Sequence, residues 1–127
     1  MRAVTRLVSG IAFVVLLSCV ACSGRRELSE LEFNGESHYV YHNGKVFSGE
    51  AWSSDGRTLC VICSNGVIES VVAYHDNGKK AIETHTLLGE GTFYDCSGNT
   101  IEPEVFIERY PALAEQIAAM SYELKGI

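Results

Sequence analysis

Cys60-Val61-Ile62-Cys63 is the spacing in this chain that most resembles working chemistry. A Cys-x-x-Cys pair can be a redox couple or half of a zinc site. Both uses need the two sulfurs together on a turn or a helix N-terminus, where a thiolate is stabilised. Here the spacer is Val-Ile inside a strand-like pattern, and a strand sends Cys60 and Cys63 to opposite faces. No second such pair follows it along the chain to complete a zinc site. Cys96 is a third thiol, and in an exported protein a bridge from it to Cys60 or to Cys63 stays open. The histidines make no site: His38 and His42 would stand about 13 Å apart along one strand, too far for one metal ion. The acids Glu50, Asp55, Glu69, Asp76, Glu83, Glu90 and Asp95 are scattered, with no cleft across which two of them would face. A Gly-x-Ser-x-Gly elbow and a phosphate-cradling Gly-rich loop are both missing. The expectation is therefore a protein that is not an enzyme, with no catalytic residue, metal ligand or cofactor.

Two further cysteines carry a different chemistry. Met1 to Arg6 is basic, Leu7 to Leu17 is almost wholly apolar, and small residues follow. That is the build of a secretory signal rather than a membrane span. Leu16-Leu17-Ser18-Cys19 resembles the lipobox of bacterial lipoproteins, which makes Cys19 the expected acylated residue; Cys22, in Cys19-Val20-Ala21-Cys22, is the alternative. Acyl chains on a terminal cysteine hold a protein to a bilayer through their buried methylenes. Loss of residues 1–18 removes Arg2 and Arg6 and leaves eight basic and sixteen acidic side chains, a net charge of −8. Such a balance argues against nucleic acid and against electrostatic docking on anionic headgroups.

The remaining residues must fold around repeated turns. Trp52-Ser53-Ser54-Asp55-Gly56-Arg57 returns 22 residues on as Tyr74-His75-Asp76-Asn77-Gly78-Lys79. After 20 more it returns as Tyr94-Asp95-Cys96-Ser97-Gly98-Asn99, and a short copy, Tyr41-His42-Asn43-Gly44-Lys45, comes first. Asn43-Gly44, Asp55-Gly56, Asn65-Gly66 and Asn77-Gly78 supply the positive φ of tight hairpins. They predict strands over Ser37–His42, Lys45–Trp52, Arg57–Cys63, Val67–Tyr74, Lys79–Thr86 and Gly91–Asp95, joined as a meander. Both faces carry apolar groups, which predicts a sheet covered at least partly on both sides. Beyond Glu102, Leu113, Ile117, Met120 and Leu124 mark the inner stripe of a helix over Pro111–Lys125, preceded by a shorter one from Val105. The aromatics Tyr39, Tyr41, Phe47, Trp52, Tyr74, Phe93 and Tyr94 are expected to pack across strands.

The tyrosine–turn–lysine pattern, with Gly49-Glu50-Ala51-Trp52 after Lys45-Val46-Phe47-Ser48, resembles variant MORN repeats of bacterial proteins labelled as the YwqK family of antitoxins. The resemblance spans residues 39–101 and implies an antiparallel meander that binds a protein partner. Few lysines beside the turns, the irregular Leu87–Glu90 link and the C-terminal helix depart from the family pattern. An antitoxin meets its toxin in the cytosol, which conflicts with a signal sequence. The expected organisation is a signal peptide (1–18), a tether (19–36), a mainly β repeat sheet (37–101) and a helical cap (102–127). The expected role is that of a membrane-tethered, non-enzymatic bacterial envelope lipoprotein binding a protein or surface component. An antitoxin-like binder, or a thiol-redox or metal protein using Cys60, Cys63 and Cys96, is the alternative.

Overall fold

The computed structural model describes residues 25–85 and 90–127. The expected signal segment, Cys19, Cys22 and the link residues 87–89 lie outside them. Ten strands are described: β1 (Arg25–Glu27), β2 (Glu32–Phe33), β3 (Val40–His42), β4 (Lys45–Val46), β5 (Gly49–Trp52), β6 (Leu59–Ser64), β7 (Val67–Tyr74), β8 (Lys80–Thr84), β9 (Thr92–Tyr94) and β10 (Thr100–Ile101). Two helices follow, α1 (Pro103–Arg109) and α2 (Pro111–Ser121).

The mainly β meander with a helical end expected from the sequence is what the chain forms. From β5 to β10, each strand pairs antiparallel with the next. Three details differ from expectation. The seven-stranded sheet, in the order β10-β9-β8-β7-β6-β5-β1, is mixed, because β1 lies parallel to β5. A separate sheet, β2-β3-β4, forms from the hairpin around Asn43-Gly44. And residues 25–33 belong to the folded body, which corrects the tether drawn over 19–36. Leu28 and Leu31, on and after a 3-10 turn at Leu28–Glu30, are fully buried, and a free tether would leave them in water.

The turns divide into two kinds. At Asn43-Gly44 and Asn65-Gly66 both residues have positive φ, as two-residue hairpin turns require. At Asp55-Gly56 and Asn77-Gly78 only the glycine is left-handed. There the chain makes a wider turn closed by the glycine N–H on the carbonyl three residues back: Gly56 on Ser53 (2.8 Å), Gly78 on His75 (2.9 Å) and, likewise, Gly98 on Asp95 (3.0 Å). These three turns are the repeat seen in the sequence. One copy per strand pair places all three at the same end of the sheet, with the Asn65-Gly66 turn at the other.

One face of the large sheet is the core. Ala51, Leu59, Val61, Cys63 and Ala73 meet Leu28, Leu31, Val40, Phe47 and Leu124, with Ile117 and Met120 of α2 packed against them. The expected helix over Pro111–Lys125 stops at Ser121; Leu124 is buried from the turn beyond it. The anchor of α1 is Phe106, fully buried edge-on to Phe93, with centroids 5.2 Å apart. No helix or second sheet packs on the opposite face among the described residues. Its apolar groups are roofed by its own side chains. Trp52 stacks on Tyr74 at 5.7 Å and 19°, Arg25 lies 4.5 Å over the Trp52 ring, and Cys60 and Val72 are buried in that row.

Candidate functional site

The repeated turns do more than reverse the chain, for they bond to one another. The Asn77 side-chain amide donates to the Cys96 carbonyl (2.8 Å) and Lys79 Nζ to the Ser97 carbonyl (3.5 Å), tying the second turn to the third. Arg57 and Asp76 approach to 3.9 Å between the first and second. Each turn is also fixed from within by an Asx pattern, in which a short carboxyl or amide accepts backbone N–H groups just ahead of it. Asp55 accepts from the Arg57 and Thr58 amides, from Ser53 Oγ (2.7 Å) and from Thr58 Oγ1. Asn77 Oδ1 accepts from Lys79, and Asp95 Oδ1 from Ser97 and Asn99. Desolvation pushes the Asp55 carboxyl upward, but its four hydrogen bonds outweigh that and hold it well below the usual carboxylate range. The Asn99 and Ser97 amides, opposed by slight desolvation and helped by Arg109, lower Asp95 as well.

Where the second and third turns meet the α1–α2 elbow, an open groove of about 460 Å³ forms. His75, Asn77, Cys96, Arg109, Tyr110 and Gln116 are among its walls. Pro111 creates this elbow by ending α1 at Arg109 and opening α2 at its first position, where a missing N–H does no harm. Tyr110 Oη accepts from the Cys96 amide (3.0 Å), and Arg109 reaches Asp95 at 3.8 Å, so the elbow is fastened to the third turn. His75 is buried between the rings of Phe106 and Tyr110, and its Nε2–H donates to the Tyr94 carbonyl (2.9 Å). It hydrogen-bonds neither Cys96 nor a carboxylate, so these groups do not form a nucleophile–base chain. The groove is lined by apolar groups of Pro111, Ala112 and Leu113 together with amide, carboxylate, guanidinium and phenol groups, chemistry suited to holding a chain segment.

The structure separates the three thiols named in the sequence. Cys60 and Cys63 are both buried on β6, Cys63 in the core and Cys60 under the Trp52–Tyr74 roof, so the opposite-face reading holds. Burial pushes the Cys60 thiol up to about 12 and Cys63 to about 11, with Glu50 and Glu69 adding to it respectively. Such thiols carry almost no thiolate near neutrality. The register Cys60–Val72–Glu83–Thr92 puts three strand spacings, about 14 Å, between Cys60 and the strand that leads to Cys96. A disulfide needs Cα atoms closer than about 7 Å, so neither bridge to Cys96 left open by the sequence fits this sheet. Cys96 itself is exposed at the groove.

The other candidates also find their places. Tyr74 stacks on Trp52 and Arg25 lies over its ring, so the indole is engaged in packing across strands. His38 lies in a turn at φ 63° rather than on a strand, and His42 packs edge-on to Phe47. Among the described residues no three His, Cys, Asp or Glu side chains gather where one cation could be held. The groove's helical wall was not foreseen from sequence. The one signal for it was Pro111 following an aromatic residue, which marks a break without saying what the break encloses. Compared with protein-family models, with curated proteins and with solved structures, the chain matches none.

Proposed function

We propose that the chain is a non-enzymatic bacterial envelope lipoprotein, acylated at Cys19, that presents its row of repeated turns to a protein or surface partner. One observation carries this reading: how the folded body begins relative to Cys19. The first strand starts at Arg25, six residues beyond Cys19, and a stretch that short spans at most about 20 Å. Because β1 runs parallel to β5, the chain enters at the Gly49 end of the sheet. The three bonded turns and the groove lie at the other end. Acyl chains at Cys19 would thus hold the body close to a bilayer with its turn row pointing away. The groove and the inter-turn hydrogen bonds support the turn row as the working surface, and the likeness to MORN-variant repeats favours a protein partner.

The test is expression in a bacterial host with clickable palmitate, alongside Cys19→Ser and Cys22→Ser, followed by fractionation. Label and membrane association are expected in the parent chain and in Cys22→Ser, and lost in Cys19→Ser. An unlabelled, soluble, cytosolic product would overturn the proposal.

A further inference from the structure

The anchored end of the sheet carries an exposed apolar patch of its own. Tyr39, Val46 and Val67 are 41%, 46% and 48% exposed. Tyr39 and Val46 are neighbours at the Asn65-Gly66 turn, since a methyl group added at Gly66 would stand 3.1 Å from Val46 and 3.3 Å from Tyr39; Val67 is the residue by which the chain leaves that turn. The patch is held in place by backbone hydrogen bonds, Gly66 N–H to the Phe47 carbonyl and Val40 N–H to the Gly66 carbonyl, each 2.8 Å. It is therefore a fixed surface on the body of the protein.

Its position follows from strand direction. β6 runs antiparallel to β5, so the Asn65-Gly66 turn sits at the Gly49 end, where the N-terminal chain also enters. From β1 to the β6–β7 turn is two to three strand spacings, about 10–14 Å. That is less than the roughly 20 Å that six residues can span.

On the reading that Cys19 is acylated, we propose that Tyr39, Val46 and Val67 form a membrane-contact surface that dips into the lipid headgroup boundary and sets the orientation of the sheet. The residue types fit a lipid surface. Two valines supply apolar area, while a tyrosine and the neighbouring exposed Lys45 are side chains that settle at a bilayer–water boundary. The net negative charge of the chain gives no attraction to anionic headgroups, so apolar insertion has to supply the contact. The patch is too small to hold the protein alone; the acyl chains give affinity and the patch gives orientation.

The experiment uses the acylated full chain on phosphatidylcholine vesicles containing lipids brominated near the headgroup. Trp52, the one tryptophan, ends β5 at the turn end of the sheet and serves as an internal reference. Tyr39→Trp adds a probe in the patch. Tyr122→Trp adds one at an exposed residue next to Glu123, which bonds Ser54 in the first turn. The expected result is quenching several-fold stronger at position 39 than at 52 or 122, unchanged by salt. A chain that is acylated and vesicle-bound but shows no preferential quenching at position 39 overturns the patch and leaves the anchor standing, whether water, a second copy or another protein covers it. A chain that carries no acyl mass overturns the anchor, and the patch with it.

Discussion

At the scale of single residues, the best-defined feature is the first repeated turn. Ser53 is buried; its Oγ donates to Asp55 and accepts the Leu59 amide at 3.1 Å, so one hydroxyl joins the turn to the first residue of β6. Asp55 is held in its charged form, and the sign of its pH dependence follows. A carboxyl lowered in the folded state contributes stability above its unfolded pKa, near 4, and that contribution fades as pH falls through the carboxylate range. Asp55→Ala should therefore lower stability at pH 7 by about 1–2 kcal/mol, toward the low end because the carboxylate is open to solvent. Urea titrations should show the gap between parent and variant shrinking from about pH 5 to pH 3; a gap constant with pH would mean the charge contributes nothing. The sequence announced Asp55 as a turn former through the Asp-Gly pair. It did not announce Ser53 and Thr58 as its partners, because that geometry depends on the wider turn and not on the pair alone.

Between the residue and the molecule stand the turns, strands and helices, and here the sequence was legible where local chemistry decides. Asn-Gly and Asp-Gly placed every hairpin turn from Asn43 to Gly78, since only positive φ closes them. It was illegible where a partner decides. Arg25-Arg26-Glu27 has no strand pattern of its own and is extended because β5 offers an edge and Trp52 a ring for Arg25. The stripe ending at Leu124 named the right core residue and the wrong element, because helical spacing cannot tell the last turn of a helix from a turn that follows it. The two asparagine–glycine hairpins make the contrast testable. Gly44 and Gly66 have nearly the same φ, 81° and 84°, but a Cβ at Gly44 meets nothing within 4 Å, whereas one at Gly66 presses on Val46 and Tyr39. Gly44→Ala should cost about 1–2 kcal/mol for the left-handed backbone alone. Gly66→Ala should cost at least about 1 kcal/mol more. Equal melting shifts would show that the β3–β4 hairpin yields freely and that the patch around Gly66 is not fixed.

On the scale of the whole molecule, two sheets, a helical elbow and three bonded turns must be kept in one arrangement, and the segment after α2 joins the first turn, the core and the small sheet. Glu123 accepts from the Ser54 amide and hydroxyl at 2.8 and 3.1 Å, in the first turn of the row. Leu124 is buried in the core between the sheets. Lys125 accepts the Phe33 amide at 2.7 Å, and Gly126 lies so close to the Phe33 carbonyl that a Cβ would collide with it. Three consecutive residues thus reach the turn row, the core and β2. Removing residues 122–127 should cost about 4–7 kcal/mol, combining a lost core leucine with the lost hydrogen bonds. In a domain whose total stability is about 5–15 kcal/mol, that brings the chain near unfolding. Leu124→Ala gives the graded version: about 2–5 kcal/mol, a lower urea midpoint and an unchanged slope. If the truncated chain kept the parent midpoint, the segment would be a passive tail, and the Val40 and Phe47 contacts with Gly66 and the core would suffice to hold the β2–β3–β4 sheet against the meander. If both variants fall as expected, the turn row and the β2–β3–β4 sheet are held in fixed relation by the last few residues of the fold.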